Sequence, residues 1–238
     1  MKKAIAAAVL VIAIVAAFFA GTALGKAGKD DSGSTPKSDS NNGVQNKAEN
    51  EDEVSDEVIK TPKNVFFSPN TGDDNNDASQ WSPVKTKKQA EAIAKDIVLG
   101  KNEEIVILEY LMTVDVKTQE AAGVFSDAGG INMIPFTGSA DGYYFKGEIV
   151  GLGCDTQKYL PNDGGVLFSA RYMLKGKDYK GQDCSVFIEN NGSALELCTP
   201  TIITDSRALS EWQSWDLRTI VVPVGGGVSV NVYRIHKD

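Results

Sequence analysis

From Tyr143 to Ile235 the chain alternates apolar and polar residues in short runs separated by Gly, Asn, Asp and Pro. Phe168-Ser-Ala-Arg-Tyr-Met-Leu174, Cys184-Ser-Val-Phe-Ile-Glu-Asn190 and Val228-Ser-Val-Asn-Val-Tyr-Arg-Ile235 have the two-residue period of half-buried strands, and none is long enough to be a helix. The same reading places strands near 104–116, 121–126, 131–137, 142–151, 154–159, 166–175, 183–190, 194–204, 217–224 and 228–236. Strands joined in sequence by short turns pair as antiparallel neighbours, and a domain of this many strands closes into a barrel or stacks as a sandwich. A barrel removes its exposed edges and encloses a space, so the expected fold is an all-β, antiparallel up-and-down β-barrel over 101–238.

One helix is expected before the strands, within 83–100. Thr86-Lys-Lys-Gln89 has capping-box spacing, in which the threonine oxygen takes a terminal N–H and the glutamine reaches back. Ala90, Ile93, Ala94, Ile97 and Val98 then share one face, and Gly100 is positioned to end the helix. This amphipathic helix is expected to pack on the barrel or to cover one end of it.

The pattern changes character toward the N-terminus. Residues 26–82 are polar, charged and punctuated by Gly and Pro, a composition that reads as a disordered linker. Within it Asp73-Asp-Asn-Asn-Asp77 has a calcium-loop composition without the ligand spacing or closing Glu of such a site. Before the linker, Lys2 and Lys3 precede a run from Ala4 to Gly25 that carries no charge. A basic start, an apolar middle and small residues at Ala23-Leu-Gly25 make a secretory signal, yet about 20 apolar residues also suffice to span a bilayer. Residues 1–25 are therefore a signal peptide or a membrane anchor. Both place the domain outside the cytoplasm, secreted or anchored to the cell membrane, with residues 4–25 the only membrane contact and only if uncleaved.

The charge of the chain is −8. Phosphate recognition needs clustered Lys and Arg; residues 101–238 contain 12 of these against 18 Asp and Glu, so a nucleic-acid partner is not expected. Three cysteines, Cys154, Cys184 and Cys198, leave one thiol over whatever the pairing. A two-residue turn at Asn191-Gly192 sets Ile188 opposite Leu195 and Cys184 opposite Thr199. Cys198 then lies opposite Ser185, on the other face from Cys184. A bridge from Cys154 to one of the two and three free thiols both remain open. The single histidine, His236, stands two residues from the end, which argues against a histidine-based triad or zinc site. No cofactor or metal is implied, and nothing in the pattern sets an oligomeric state.

The succession Gly138 to Gly142, Phe145-Lys-Gly-Glu148, Gly153-Cys-Asp155, Ala170-Arg-Tyr172, Val186-Phe-Ile-Glu-Asn-Asn-Gly192, Thr199-Pro200 and Trp215-Asp-Leu-Arg-Thr219 resembles the domain-of-unknown-function family 3237 over about 104–238. The resemblance implies an antiparallel barrel with polar residues at its mouth or interior, and no established activity. The chain departs from the family pattern at Ser139, where a second glycine is usual, at Gln213, where a tyrosine is usual, and at Asp216-Leu217 within Trp-Leu-Asn-Arg.

Five residues are the candidates for ligand contact: Asp155, Arg171, Asn190, Trp215 and Arg218. Asp155 and Arg171 stand at matching motif positions on neighbouring strands. If both point inward they form either a structural ion pair or an anion site beside a carboxylate. Trp215 is a stacking surface or core, Arg218 an anion contact, and Asn190 a turn residue or a ligand contact. The first expectation is a barrel that binds a small, partly apolar, anionic ligand. The alternatives are a cofactor-free isomerase or cyclase with Asp155 as general acid or base and Arg171 orienting the substrate, and a surface interaction module.

Overall fold

A computed structural model describes residues 60–162 and 164–237. Residues 1–25, and the expected linker as far as 59, lie outside the described residues. Eleven strands and one helix follow: β1 (Thr61–Phe67), α1 (Lys87–Asp96), β2 (Glu103–Thr118), β3 (Ala122–Ser126), β4 (Gly129–Asp141), β5 (Phe145–Ile149), β6 (Gly153–Tyr159), β7 (Val166–Asp178), β8 (Asp183–Gly192), β9 (Thr199–Thr204), β10 (Leu217–Val224) and β11 (Gly227–His236). A 3-10 turn at Ser210–Gln213 joins β9 to β10.

The sheet runs β10-β11-β2-β4-β5-β7-β8-β9. It closes through the antiparallel bridge Cys198↔Thr219, where the Thr219 and Val221 N–H groups donate to the Cys198 and Leu195 carbonyls. The fold is an antiparallel up-and-down barrel. Two of its staves are built from two strands laid end to end. β5 pairs β4 at Ser139 and Ala140 and β7 from Leu174 to Asp178, whereas β6 pairs the other halves of the same two strands. β3 likewise continues along β4 where β2 stops. Leu111 is a bulge in β2: Met112 faces Val232 and Tyr110 faces Tyr233. A bulge re-aims the residues beyond it, so Met112, Val114 and Val116 are buried in the barrel, while Val106 and Leu108 pack in a separate cluster with Phe66, Ile220 and Tyr233.

Three expectations need correction. The composition of 26–82 reads as linker, but Thr61–Phe67 is a strand, parallel to β2 from Glu103 to Glu109. The loop after it is also ordered. Asp73 and Asp77 each accept a backbone N–H from within it, and Asp74 accepts the Lys85 and Thr86 N–H groups. Helix α1 starts as expected, with the Gln89 N–H donating to Thr86 Oγ1 at 3.2 Å, but it ends at Asp96 with Ile97 extended rather than at Gly100. It packs Ala90, with Ile93, Ala94 and Ile97 beside it, against Val65, Phe67, Ala78, Val84 and Ile107 of β1, its following loop and β2. Finally, Asn191-Gly192 does not turn. β8 continues through Gly192, paired with Phe168, and the chain returns only at Thr199, opposite Asn191. At Gly192 a side-chain carbon would lie 2.7 Å from Cys198 Sγ, so this glycine serves a close approach rather than a turn.

Candidate functional site

Inward residues along the ring do not fill it evenly. Toward one end Met112, Phe145, Leu174, Val186, Ile188 and Trp212 are buried against one another. Two or four residues further along β2, β7 and β8, the inward side chains line a cavity of about 360 Å3. Val116, Phe136, Tyr172 and Val230 belong to both regions and form its floor. Thr118, Gly227, Val166 and Tyr159 lie toward the other end.

The polar part of the wall comes mainly from β6. Its two-residue period turns Asp155, Gln157 and Tyr159 inward together. The Tyr159 hydroxyl donates to Gln157 Oε1 at 3.0 Å, and Gln157 Nε2 donates to Asp155 Oδ2 at 2.9 Å. Burial holds the Asp155 carboxyl above the usual carboxylate range, against the opposing hydrogen bonds from Gln157 and at Ser169. Burial, then the Asp155 charge, pushes the Tyr159 phenol up. Among the described residues no Lys, Arg or His lines the cavity. On the floor, the Tyr172 hydroxyl is buried without a hydrogen-bond partner, and burial drives its pKa well above the ordinary tyrosine value. A buried hydroxyl left unpaired is costly, and this one is closed off from the cavity although its residue contributes to the wall.

The five candidate residues separate. Asp155 and Asn190 line the cavity. Asn190 is also structural: Thr219 Oγ1 donates to its Oδ1 at 2.8 Å, tying β8 to β10 beside the closing bridge. Arg171 does not join Asp155. Asp155 faces Ala170, while Arg171 faces Cys154 and Glu189. Its guanidinium donates to Glu189 Oε1 at 2.7 Å, with the arginine side chain 57% exposed. The expected inward pair is therefore absent, because residues adjacent on a strand point to opposite faces. Trp215 and Arg218 line a separate groove of about 340 Å3 that shares no residue with the cavity. Arg234 lies over the Trp215 ring, 4.0 Å from its centroid, and Arg218 Nη1 donates to Asn64 Oδ1 at 3.3 Å.

All three cysteines are free, with Cys184 and Cys198 buried. Cys198 lines the cavity, donates to the Ala194 carbonyl and is raised in pKa by burial. His236 ends β11 and pairs with the buried Glu109 at 2.8 Å, away from the cavity. Gln157, Tyr159 and Tyr172 were not among the sequence candidates. Counting two and four residues on from Asp155 finds the first two, and Tyr172 lies inside the quoted Ala170-Arg-Tyr172.

The chain matches no family model and no curated protein. Among solved structures it is similar to a protein with unknown function from Clostridium acetobutylicum ATCC 824, at 20% identity and TM-score 0.48, over 55% of this chain and 99% of that one. It is also similar to a beta-barrel like protein from Acinetobacter baumannii AYE, at 22% identity and TM-score 0.46, over 58% of this chain and all of that one. A third is an enzyme from Penicillium herquei, at 16% identity and TM-score 0.46, over 58% of this chain and 100% of that one. These likenesses assign no activity to the chain.

Proposed function

We propose that this protein is an exported β-barrel that binds a small, largely apolar molecule in its interior, and that it is related to the domain-of-unknown-function family 3237. One observation carries the binding reading: the mainly apolar cavity of about 360 Å3 with Asp155, Gln157 and Tyr159 together on its wall. Pockets of this kind, apolar with a few convergent polar groups, are where small ligands bind. The anionic preference expected from Arg171 loses its support, because that guanidinium lies on the outer face.

A second reading is favoured by Asp155 itself. Its carboxyl is apart from any cationic side chain among the described residues and is shifted toward neutrality by burial, which suits a general base for a proton transfer in a dry site. The experiment is native mass spectrometry of the full-length chain purified from its host, with thermal shift across a metabolite library. A retained small molecule, or a stabilising compound competed out by filling the cavity through Ala170→Leu, supports both readings. Turnover of that compound separates the second from the first. An empty chain with no thermal shift refutes both.

A further inference from the structure

We infer that the ligand is an organic amine, bound with its ammonium on Asp155 and its apolar body among the aromatic rings of the barrel. This rests on the cavity being a ligand site. Among the described residues Asp155 is the only carboxylate in the wall, and none of those lining it is Lys, Arg or His. Gln157 supplies one neutral hydrogen bond to one carboxylate oxygen; no salt bridge reaches Asp155 among the described residues. An ionised carboxylate in such surroundings is stabilised most by a cation brought in from outside. An anion meets repulsion there with nothing to offset it.

Aromatic residues agree with that sign. Phe136, Phe168, Tyr159 and Tyr172 all line the same space, and their ring faces attract ammonium groups while accepting apolar carbon. The buried Tyr172 hydroxyl lies on β7 two residues beyond Ala170, which faces Asp155. At about 360 Å3 the space is near the small end of ligand sites, which limits the occupant to a compact monoamine. The titratable groups that share the cavity with Asp155 are Tyr159 on β6, Tyr172 on β7 and Cys198 before β9. Burial raises the pKa of all three, so none of them adds a charge beside Asp155 at neutral pH.

Three indoles of matched shape test this by calorimetry on the full-length chain at pH 7.5: tryptamine, neutral 3-propylindole and indole-3-propionate. We expect tryptamine to bind at least about tenfold more tightly than 3-propylindole, and indole-3-propionate to bind more weakly than either. Asp155→Asn, checked for folding by its melting curve, should bring tryptamine to within about twofold of 3-propylindole and leave 3-propylindole unchanged. If 3-propylindole binds while tryptamine shows no advantage, or if Asp155→Asn leaves the order intact, the amine assignment is overturned and the cavity reading stands. Failure of all three to bind overturns the amine assignment, and the cavity reading then stands or falls on the native mass spectrum and the library screen.

Discussion

The two ends of the barrel are made by the same strands and differ in what they hold. At one end Leu174, Ile188 and Val232 are fully buried and Trp212 closes the interior from the 3-10 turn. At the other end Ala170, Asn190 and Val228 on those same strands line open space. A short step along each strand separates a packed core from a cavity. The packed end accounts for the fold's stability, since burial of large apolar side chains is the main favourable contribution. The hollow end holds a half-buried carboxylate and, beneath it, an unpaired hydroxyl, both unfavourable for folding. A protein selected for stability alone has no use for them, which is why the cavity rather than the groove at Trp215 is the candidate site.

The largest effect should come from emptying the packed end. Trp212→Ala is expected to cost about 3–5 kcal/mol of unfolding free energy in urea denaturation, and Phe168→Ala, in the cavity wall, less than half as much. Equal losses would erase the distinction between the ends. A middle-sized effect should come from filling each end. Ala140→Leu, among packed neighbours, should cost about 1–3 kcal/mol. Ala170→Leu should change stability by less than about 1 kcal/mol, because space is already present.

The smallest effect concerns Asp155. Burial raises its folded-state pKa above the unfolded value, so the folded chain retains a proton that the unfolded chain has released. Stability therefore falls as pH rises through that interval, and the penalty is full above it. Asp155→Asn removes the penalty. Its melting temperature should exceed that of the parent at pH 7. The gain should disappear below about pH 4, where the carboxyl is protonated in both states. A variant that melts lower at pH 7 would show that the Asp155 carboxylate stabilises the fold and would remove this contrast between the two ends.

Much of the ring was legible because alternation is a local signal. β7 even states its own phase: Phe168, Ala170, Tyr172 and Leu174 lie on one face, which leaves Arg171 on the other with Met173 and Lys175. Treating Asp155 and Arg171 as a motif pair ignored that parity. β6 offers no such help. Asp155, Gln157 and Tyr159 alternate with Cys154, Thr156 and Lys158, and both sets are largely polar. Only the register with β7, Asp155 against Ala170, decides which set turns inward. β1 escaped notice for a different reason. Just three apolar residues, Val65, Phe66 and Phe67, follow a polar start, and its formation depends on β2, about 40 residues away in sequence. At Asn191-Gly192 a strong local turn preference yields to the length of β7, which extends the pairing to Phe168.

β1 also sets how the molecule is presented. It runs parallel to β2 with Thr61 beside Glu103, whereas Thr118, at the far end of that strand, lines the cavity. Sixteen residues of β2 extend roughly 50 Å along the strand. Lys60 and Thr61, where the described residues begin, therefore sit a strand's length from the cavity, so a change made at that end leaves the cavity wall untouched.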